Sequence, residues 1–127
     1  MAHYLLDTCI LVDYFRGNEK AAQFLEEFEN PPFLSALTVA ELYAGVAGVR
    51  EGKERALLDK LIQYFPIIPL DNEAAIKGGL YRRLYGKSHG VGIVDALLAS
   101  SAECKNLILA TCNVKHFPMI KNVHCPY

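Results

Sequence analysis

The sequence predicts an α/β fold in which a central, mainly parallel β-sheet is flanked by helices. Short apolar runs of strand length alternate with longer segments whose apolar residues recur at helical spacing, a pattern typical of parallel sheets. The chain has 127 residues, 52% of them hydrophobic, and is therefore long enough to bury one core. We expect residues 1–127 to form a single domain with three layers.

Two strands and three helices are predicted in the first part of the chain. They are a strand at Tyr4–Leu6, helices at Cys9–Phe15 and Glu19–Glu29, a strand at Phe33–Leu37, and a helix from Thr38 to about Val46. In the second helix the apolar residues recur at helical spacing and form one buried face. We expect Pro31 and Pro32 to end that helix, because proline has no N–H to donate and its ring obstructs the preceding turn.

Three helices and three strands are predicted in the rest of the chain. They are a helix at Lys53–Tyr64, a strand at Pro66–Leu70, helices at Asn72–Tyr85 and Ile93–Ala102, a strand at Leu107–Thr111 and a short strand near Val123. Prolines flank the strand at Pro66–Leu70 and predict a place near the sheet edge, since proline cannot donate to a ladder. Gly86–Gly92 predicts one clear loop, and Gly78–Gly79 predicts a weak point in the preceding helix.

The composition argues against several classes of protein. With 13 basic and 14 acidic residues the formal net charge is -1, whereas proteins that coat DNA or bind membrane surfaces rely on excess Lys and Arg. An RNA enzyme stays compatible, because it needs only a local basic rim. No apolar run is long enough to span a membrane, and Asp7 and Asp13 interrupt the start too early for a signal peptide. The four cysteines show no zinc-finger spacing, so we expect reduced thiols in a cytoplasmic protein.

Four side chains with oxygen atoms fall at predicted strand ends or helix starts. Asp7 follows the first strand, Glu41 lies in the first turn of the helix after the second strand, Asp95 begins the helix after the glycine-rich loop, and Asn113 follows the fourth strand. Parallel α/β sheets bind ligands at the carboxyl ends of their strands. Carboxylates gathered there repel one another unless a cation lies between them, and hard oxygen ligands suit Mg²⁺ or Mn²⁺. Such a metal can activate water and neutralise charge on a phosphate.

Each acid also has a purely structural interpretation. Asp7 can cap the next helix, Thr38 and Glu41 have the spacing of a capping box, and any carboxylate at the position of Asp95 is favoured by the helix dipole. However, Asp7 and Asp95 interrupt apolar stretches with no basic neighbour in sequence, and a buried charge needs a partner. Together the acids favour a metal site.

Four segments, Leu6–Gly17, Ser35–Leu42, Val94–Ala99 and Leu109–Phe117, resemble in order the four signature blocks of PIN domains, in particular those of VapC-type toxin ribonucleases from toxin–antitoxin pairs. The resemblance covers nearly the whole chain. It implies a PIN-like fold and a magnesium-dependent endoribonuclease that leaves 5′-phosphate and 3′-hydroxyl ends. Its metal ligands would be Asp7, Glu41 and Asp95, with Asn113 as the fourth catalytic residue. The hydroxyl groups of Thr8 and Thr111 can support the site by orienting a carboxylate or a water, or each can cap a turn.

The chain departs from the family pattern at two positions. The fourth family position, often Asp, is Asn113 here, which lowers the negative charge of the site and argues for a contact to water or to a metal ligand rather than to the metal. Cys9 stands where relatives usually have Asn, and a thiol is a poorer hydrogen-bonding group than an amide. Both departures favour an alternative reading, a metal-free RNA-binding module on a decayed nuclease fold.

The remaining polar and aromatic residues predict surfaces for partners. Arg82, Arg83, Lys87 and Lys115 are expected to hold RNA phosphates at the rim, although a solvated helix face explains them equally simply. The resemblance also implies a homodimer and a cognate antitoxin. The antitoxin would place apolar side chains against aromatic residues on short helices and an Arg near the acids. Those aromatic residues, which can instead belong to the core, are Tyr14, Phe15, Phe24 and Tyr43.

Two further functions compete with the toxin. A phosphoryl-receiver domain has a similar length and a parallel sheet, but it needs an acidic pair after its first strand and Thr and Lys on separate later strands. Here Asp7 stands alone, and Thr111 and Lys115 share one segment. A housekeeping RNA-processing nuclease would need the same acids and no antitoxin.

Overall fold

The predicted alternation of strands and helices is present in the computed structural model, which describes residues 3–45 and 51–127. The elements are β1 (Tyr4–Leu6), α1 (Thr8–Phe15), α2 (Glu19–Glu26), β2 (Leu34–Ser35), α3 (Ala36–Gly45), α4 (Glu51–Gln63), β3 (Ile67–Ile68), α5 (Asn72–His89), α6 (Ile93–Cys104), β4 (Ile108–Ala110), a 3-10 turn (Val114–His116) and β5 (Val123–His124). The predicted end of the third helix, Val46, lies outside the described residues.

The strands form a parallel sheet with β1 in the middle. β1 pairs with β4, β4 with β5 and β2 with β3, all in parallel, and a parallel bridge between Leu5 and Phe33 joins β2 to β1. The strand order is therefore β3-β2-β1-β4-β5, and β3 lies at an edge as its prolines predicted. The chain winds one way from β1 to β3 and the other way through β4 and β5. The switch lies between β1 and β4, where such sheets bind ligands at their carboxyl ends.

Alternate residues of the strands serve two different cores. Leu6 and Ala110 belong to a cluster with residues of α1 to α4, whereas Leu5 and Leu109 belong to one with Leu98 and others from α6. Neighbouring side chains of a strand point to opposite faces of a sheet, so one dipeptide contributes to both clusters. The expected three layers, helices on both faces of a sheet, are confirmed.

Helices α5 and α6 pack closely at Gly78, where the sequence predicted a weak point in α5. A Cβ atom added to Gly78 would lie 2.6 Å from Leu97 Cδ2 and 2.9 Å from Ser100 Oγ on α6. The Ser100 hydroxyl donates to the carbonyl of Ala74, 2.7 Å away. Gly78 therefore does not weaken α5, because its missing side chain lets α6 approach.

No helix in the described part of the chain is long and apolar enough to cross a membrane.

The prediction of a loop at Gly86–Gly92 is mostly wrong, because the first part of this segment is helical. α5 continues through Gly86 to His89, and Gly90 ends it in the left-handed conformation with φ of 65° and its N–H bonded to the carbonyl of Tyr85. Glycine adopts positive φ without steric cost, so it commonly follows the last helical residue. The connection to α6 is only Gly90–Gly92.

Candidate metal centre

Asp7 lies at the carboxyl end of the central strand and is buried, with 7% of its surface exposed. Its Oδ1 accepts from the Thr8 N–H at 2.8 Å, so it does cap α1. Its Oδ2 accepts from the Thr111 hydroxyl at 2.7 Å, across the gap between β1 and β4. Among the residues that the structure covers, no Lys, Arg or His forms an ion pair with Asp7. Capping therefore explains only one oxygen of a buried, unneutralised carboxylate.

Glu41 is not part of a capping box, so that structural interpretation is wrong. α3 begins at Ala36, and Ser35 Oγ caps it by accepting from the Leu37 N–H at 3.1 Å. The earlier start puts Glu41 in the second turn rather than the predicted first turn. Its Oε1 accepts from the Thr8 hydroxyl at 2.6 Å. This hydrogen bond holds Glu41 next to Thr8, which begins α1 and directly follows Asp7.

Asp95 lies in the first turn of α6 as predicted, and its side chain is half-buried. Its Oδ2 lies 3.2 Å from Nδ1 of His116 in the 3-10 turn. Burial raises the pKa of the Asp95 carboxyl, and the negative charges of Asp7 and Glu41 raise it further, while His116 lowers it. The three acids are therefore close enough for their charges to repel.

Thr111 connects the acids to Asn113. The Thr111 hydroxyl is fully buried, donates to Asp7 and accepts from the Asn113 N–H at 3.0 Å. The side chain of Asn113 is exposed and does not cap the 3-10 turn that follows it. Asn113 is thus linked to the acids by a hydrogen bond of its backbone and not by its side chain.

Cys9 takes part in the site through its thiol. The thiol donates weakly to Asp7 Oδ2 at 3.7 Å, and its sulfur accepts from the Cys112 N–H at 3.2 Å. Burial raises the pKa of the Cys9 thiol to about 12, and the charge of Asp7 adds to this rise. Cys9 therefore stays protonated near neutral pH and acts as a weak donor to Asp7.

The basic residues of the predicted rim flank the acids without pairing with them. Arg82, Arg83 and Lys87 are exposed on the C-terminal half of α5, which leads through Gly90–Gly92 into the turn that carries Asp95. Lys115 is exposed in the 3-10 turn. The sequence suggested at most an RNA contact for His116 and gave no sign that this residue touches Asp95.

Asp7, Glu41 and Asp95 could hold a partly hydrated magnesium ion through their carboxylate oxygens. Within residues 3–45 and 51–127, no three His, Cys, Asp or Glu side chains are close enough to enclose a metal ion directly. Burial raises the pKa of the Asp95 carboxyl, and the negative charges of Asp7 and Glu41 add to this rise. Mg²⁺ in proteins keeps several of its waters and takes one or two carboxylates directly, so moderately separated carboxylates suit it. Thr8 and Thr111 would keep the ligands in place.

Comparison with known proteins places the chain in a family. Residues 4–120 match the PIN domain. The chain is 35% identical over 123 residues to Ribonuclease VapC19 of Mycobacterium tuberculosis, which covers 97% of this chain and 98% of the relative. It is 32% identical over 126 residues to Ribonuclease VapC10 of the same organism, covering 97% and 92%. The solved toxin–antitoxin complex from Klebsiella pneumoniae contains a chain that superposes with a TM-score of 0.83 at 28% identity, over 98% of both chains. The chain therefore belongs to the PIN-domain family, among its VapC-type members.

Proposed function

We propose that the protein is a magnesium-dependent endoribonuclease and the toxin of a toxin–antitoxin pair. The convergence of Asp7, Glu41 and Asp95 at the carboxyl edge of the sheet carries the proposal. The proposal also has the support of the relatives, which bear the name ribonuclease.

Each residue has a role that follows from its contacts. Asp7, Glu41 and Asp95 would hold Mg²⁺, for which Mn²⁺ is a chemical substitute; the bound ion would activate a water and neutralise charge on the phosphate. Thr111 and Thr8 donate to Asp7 and Glu41 and hold the carboxylates in fixed orientations. Glu41 is the most open of the acids, so water and substrate reach the site from its side. We expect products with 5′-phosphate and 3′-hydroxyl ends.

The substrate would contact the basic rim. Arg82, Arg83, Lys87 and Lys115 are exposed on the two segments that flank Asp95. Such residues position a nucleic acid by its phosphates and carry little sequence information. Replacing Arg82 and Arg83 together by Ala should therefore weaken RNA binding without changing Mg²⁺ affinity.

A groove beside the acids would receive the antitoxin. It has a volume of about 470 Å³, and its lining combines apolar side chains with charged ones: Val12, Phe15, Leu42, Leu57, Arg16, Glu41 and Glu54. An apolar antitoxin segment could fill it and bring an Arg to the acids. Of the predicted aromatic contacts, Phe24 is unsuitable because it is buried in the core, whereas Tyr14 is 39% exposed. The chain of similar structure from Klebsiella pneumoniae belongs to a toxin–antitoxin complex.

The apolar face of α5 supports a homodimer. Ile76, Leu80 and Leu84 are 59%, 51% and 67% exposed, and their spacing of four residues puts them on one helix face. A two-fold symmetric dimer would cover this face with its own copy. Leu84→Glu should shift the protein to monomers in sedimentation experiments.

A cleavage assay tests the enzyme, and co-purification tests the toxin. Purified protein should cut RNA with Mg²⁺ or Mn²⁺, stop with EDTA, and lose activity in Asp95→Asn. The product of the neighbouring gene should bind and inhibit it. RNA binding without cleavage under any metal would favour the metal-free module, which gains support because Asp7 and Glu41 already accept hydrogen bonds from threonine hydroxyls. Metal-dependent cleavage without an inhibitor would favour an RNA-processing nuclease.

A further inference from the structure

His116 touches a carboxylate of the acid cluster without having an assigned role. Its Nδ1 lies 3.2 Å from Asp95 Oδ2, and the two side chains are 57% and 29% exposed. The contact leaves Oδ1 of Asp95 for another ligand. An imidazole at this distance can donate one hydrogen bond to a carboxylate whether or not the ring is charged.

Two anchors position His116 against α6. Phe117, the next residue, is 2% exposed and packs in a cluster with Leu98, Ala99 and Ala102. These positions lie three, four and seven residues after Asp95, and residues so spaced share one helix face. On the other side, the Asn113 N–H bonds to the Thr111 hydroxyl, which itself donates to Asp7. The turn is thus tied to the helix of Asp95 and to the carboxylate of Asp7.

We propose that His116 is a positioning residue, which donates from Nδ1 to Asp95 Oδ2 and holds this carboxylate ready for the divalent cation. The inference rests on the proposed function, because it assumes that Asp95 is a metal ligand. Hydrogen bonds to ligating groups reduce the freedom that the ligand loses on binding, and their removal typically weakens metal affinity about 10- to 100-fold.

A competing interpretation of His116 predicts the opposite change in Mg²⁺ affinity. If His116 were an ion-pair partner that merely takes the place of the cation, removing its ring would strengthen Mg²⁺ binding. The identity of the donating nitrogen separates the two further. The side-chain amide nitrogen of Asn occupies the position of Nδ1, whereas that of Gln occupies the position of Nε2. Donation from Nδ1 therefore predicts rescue by Asn and not by Gln.

Titration calorimetry with Mg²⁺, and with Mn²⁺ as a second probe, tests the inference on the whole chain without RNA. His116→Ala should weaken affinity about 10- to 100-fold, His116→Asn should restore most of it, and His116→Gln should not. His3→Ala serves as the matched control, since His3 is exposed at the opposite end of β1. Thermal unfolding of every variant shows whether it folds, and His116→Gln replaces His116→Ala if the latter does not.

The outcomes are distinguishable from those of the proposed function. Affinity that is equal or tighter in His116→Ala, or rescue by Gln but not Asn, overturns the role of His116 alone. A wild-type chain that binds neither cation overturns the proposed function and the role of His116 with it.

Discussion

Asp7 and Glu41 are held by short hydrogen bonds from threonine hydroxyls, whereas Asp95 is held by the partly exposed ring of His116. The first pair lies where β1 meets α1 and α3, and the donor to Asp7 is fully buried. The second side lies between α6 and a 3-10 turn. Asp7 is therefore held by a buried contact, while Glu41 and Asp95 each depend on a contact near solvent.

The difference matters for a site that would bind a cation. A buried donor has no competing water, so we expect the orientation of Asp7 to persist with or without metal. The pKa of Asp95 is raised by burial and by the other acids, so its surroundings disfavour the charged form of this carboxylate. We expect the Asp7 side to determine whether a metal site exists and the Asp95 side to adjust its affinity.

The largest effect is expected from the acids themselves. Asp7→Asn, Glu41→Gln and Asp95→Asn should each lower RNA cleavage by about a hundredfold or more, because fewer charges hold the cation and activate its water. Cleavage at saturating and limiting Mg²⁺, with EDTA as the metal-free reference, measures this. Normal activity of Asp95→Asn at limiting Mg²⁺ would show that the ligand assignment is wrong. Circular dichroism should show folded variants.

The second-largest effect is expected when the threonine hydroxyl donors are removed, which compares a buried hydrogen bond with an exposed one. Thr111→Val should weaken Mg²⁺ affinity about 10- to 100-fold and lower the free energy of unfolding by about 1–3 kcal/mol, since it removes a buried donor to a charged group. Thr8→Val should cost less than about tenfold in affinity, because water can replace its contact to the exposed Glu41. Calorimetry and urea unfolding report both quantities. Equal losses in the two variants would contradict the proposed contrast.

A smaller effect, of opposite sign, is expected at Asn113. Asn113→Asp restores the negative charge that the family position often carries, so Mg²⁺ affinity should rise by up to about tenfold while cleavage is retained. The change is isosteric, and Asn113→Ala is its uncharged control. Total loss of metal binding in Asn113→Asp would contradict the placement of Asn113 beside the metal rather than on it.

The smallest effect is expected at Cys9. Cys9→Ala removes a weak thiol donor to Asp7, so cleavage should change by less than about fivefold, the equivalent of about 1 kcal/mol. Steady-state cleavage at fixed Mg²⁺ measures it. A loss as large as that of Asp7→Asn would mean that the thiol, and not Thr111, holds the carboxylate.

Local patterns in the sequence were sufficient to predict the order of the helices and strands and the places of two of the acids in them. Asp7 follows one apolar run and Asp95 lies in the first turn of another, and both placements depend only on neighbouring residues. The order of the four family-like segments likewise predicted the domain type, which the match over residues 4–120 confirms. The metal, the RNA, the antitoxin and the roles of the site residues remain predictions.

The tertiary structure decided what depends on distant residues or on backbone angles. Thr38 has the spacing of a cap, but Ser35 does the capping, because the chain enters α3 directly from β2 and starts the helix two residues early. Gly86 and Gly90 look alike in sequence, yet only Gly90 has the positive φ that ends a helix. The contacts of Thr8 with Glu41 and of His116 with Asp95 join residues 33 and 21 positions apart, and such contacts form only when packed layers bring separate segments together.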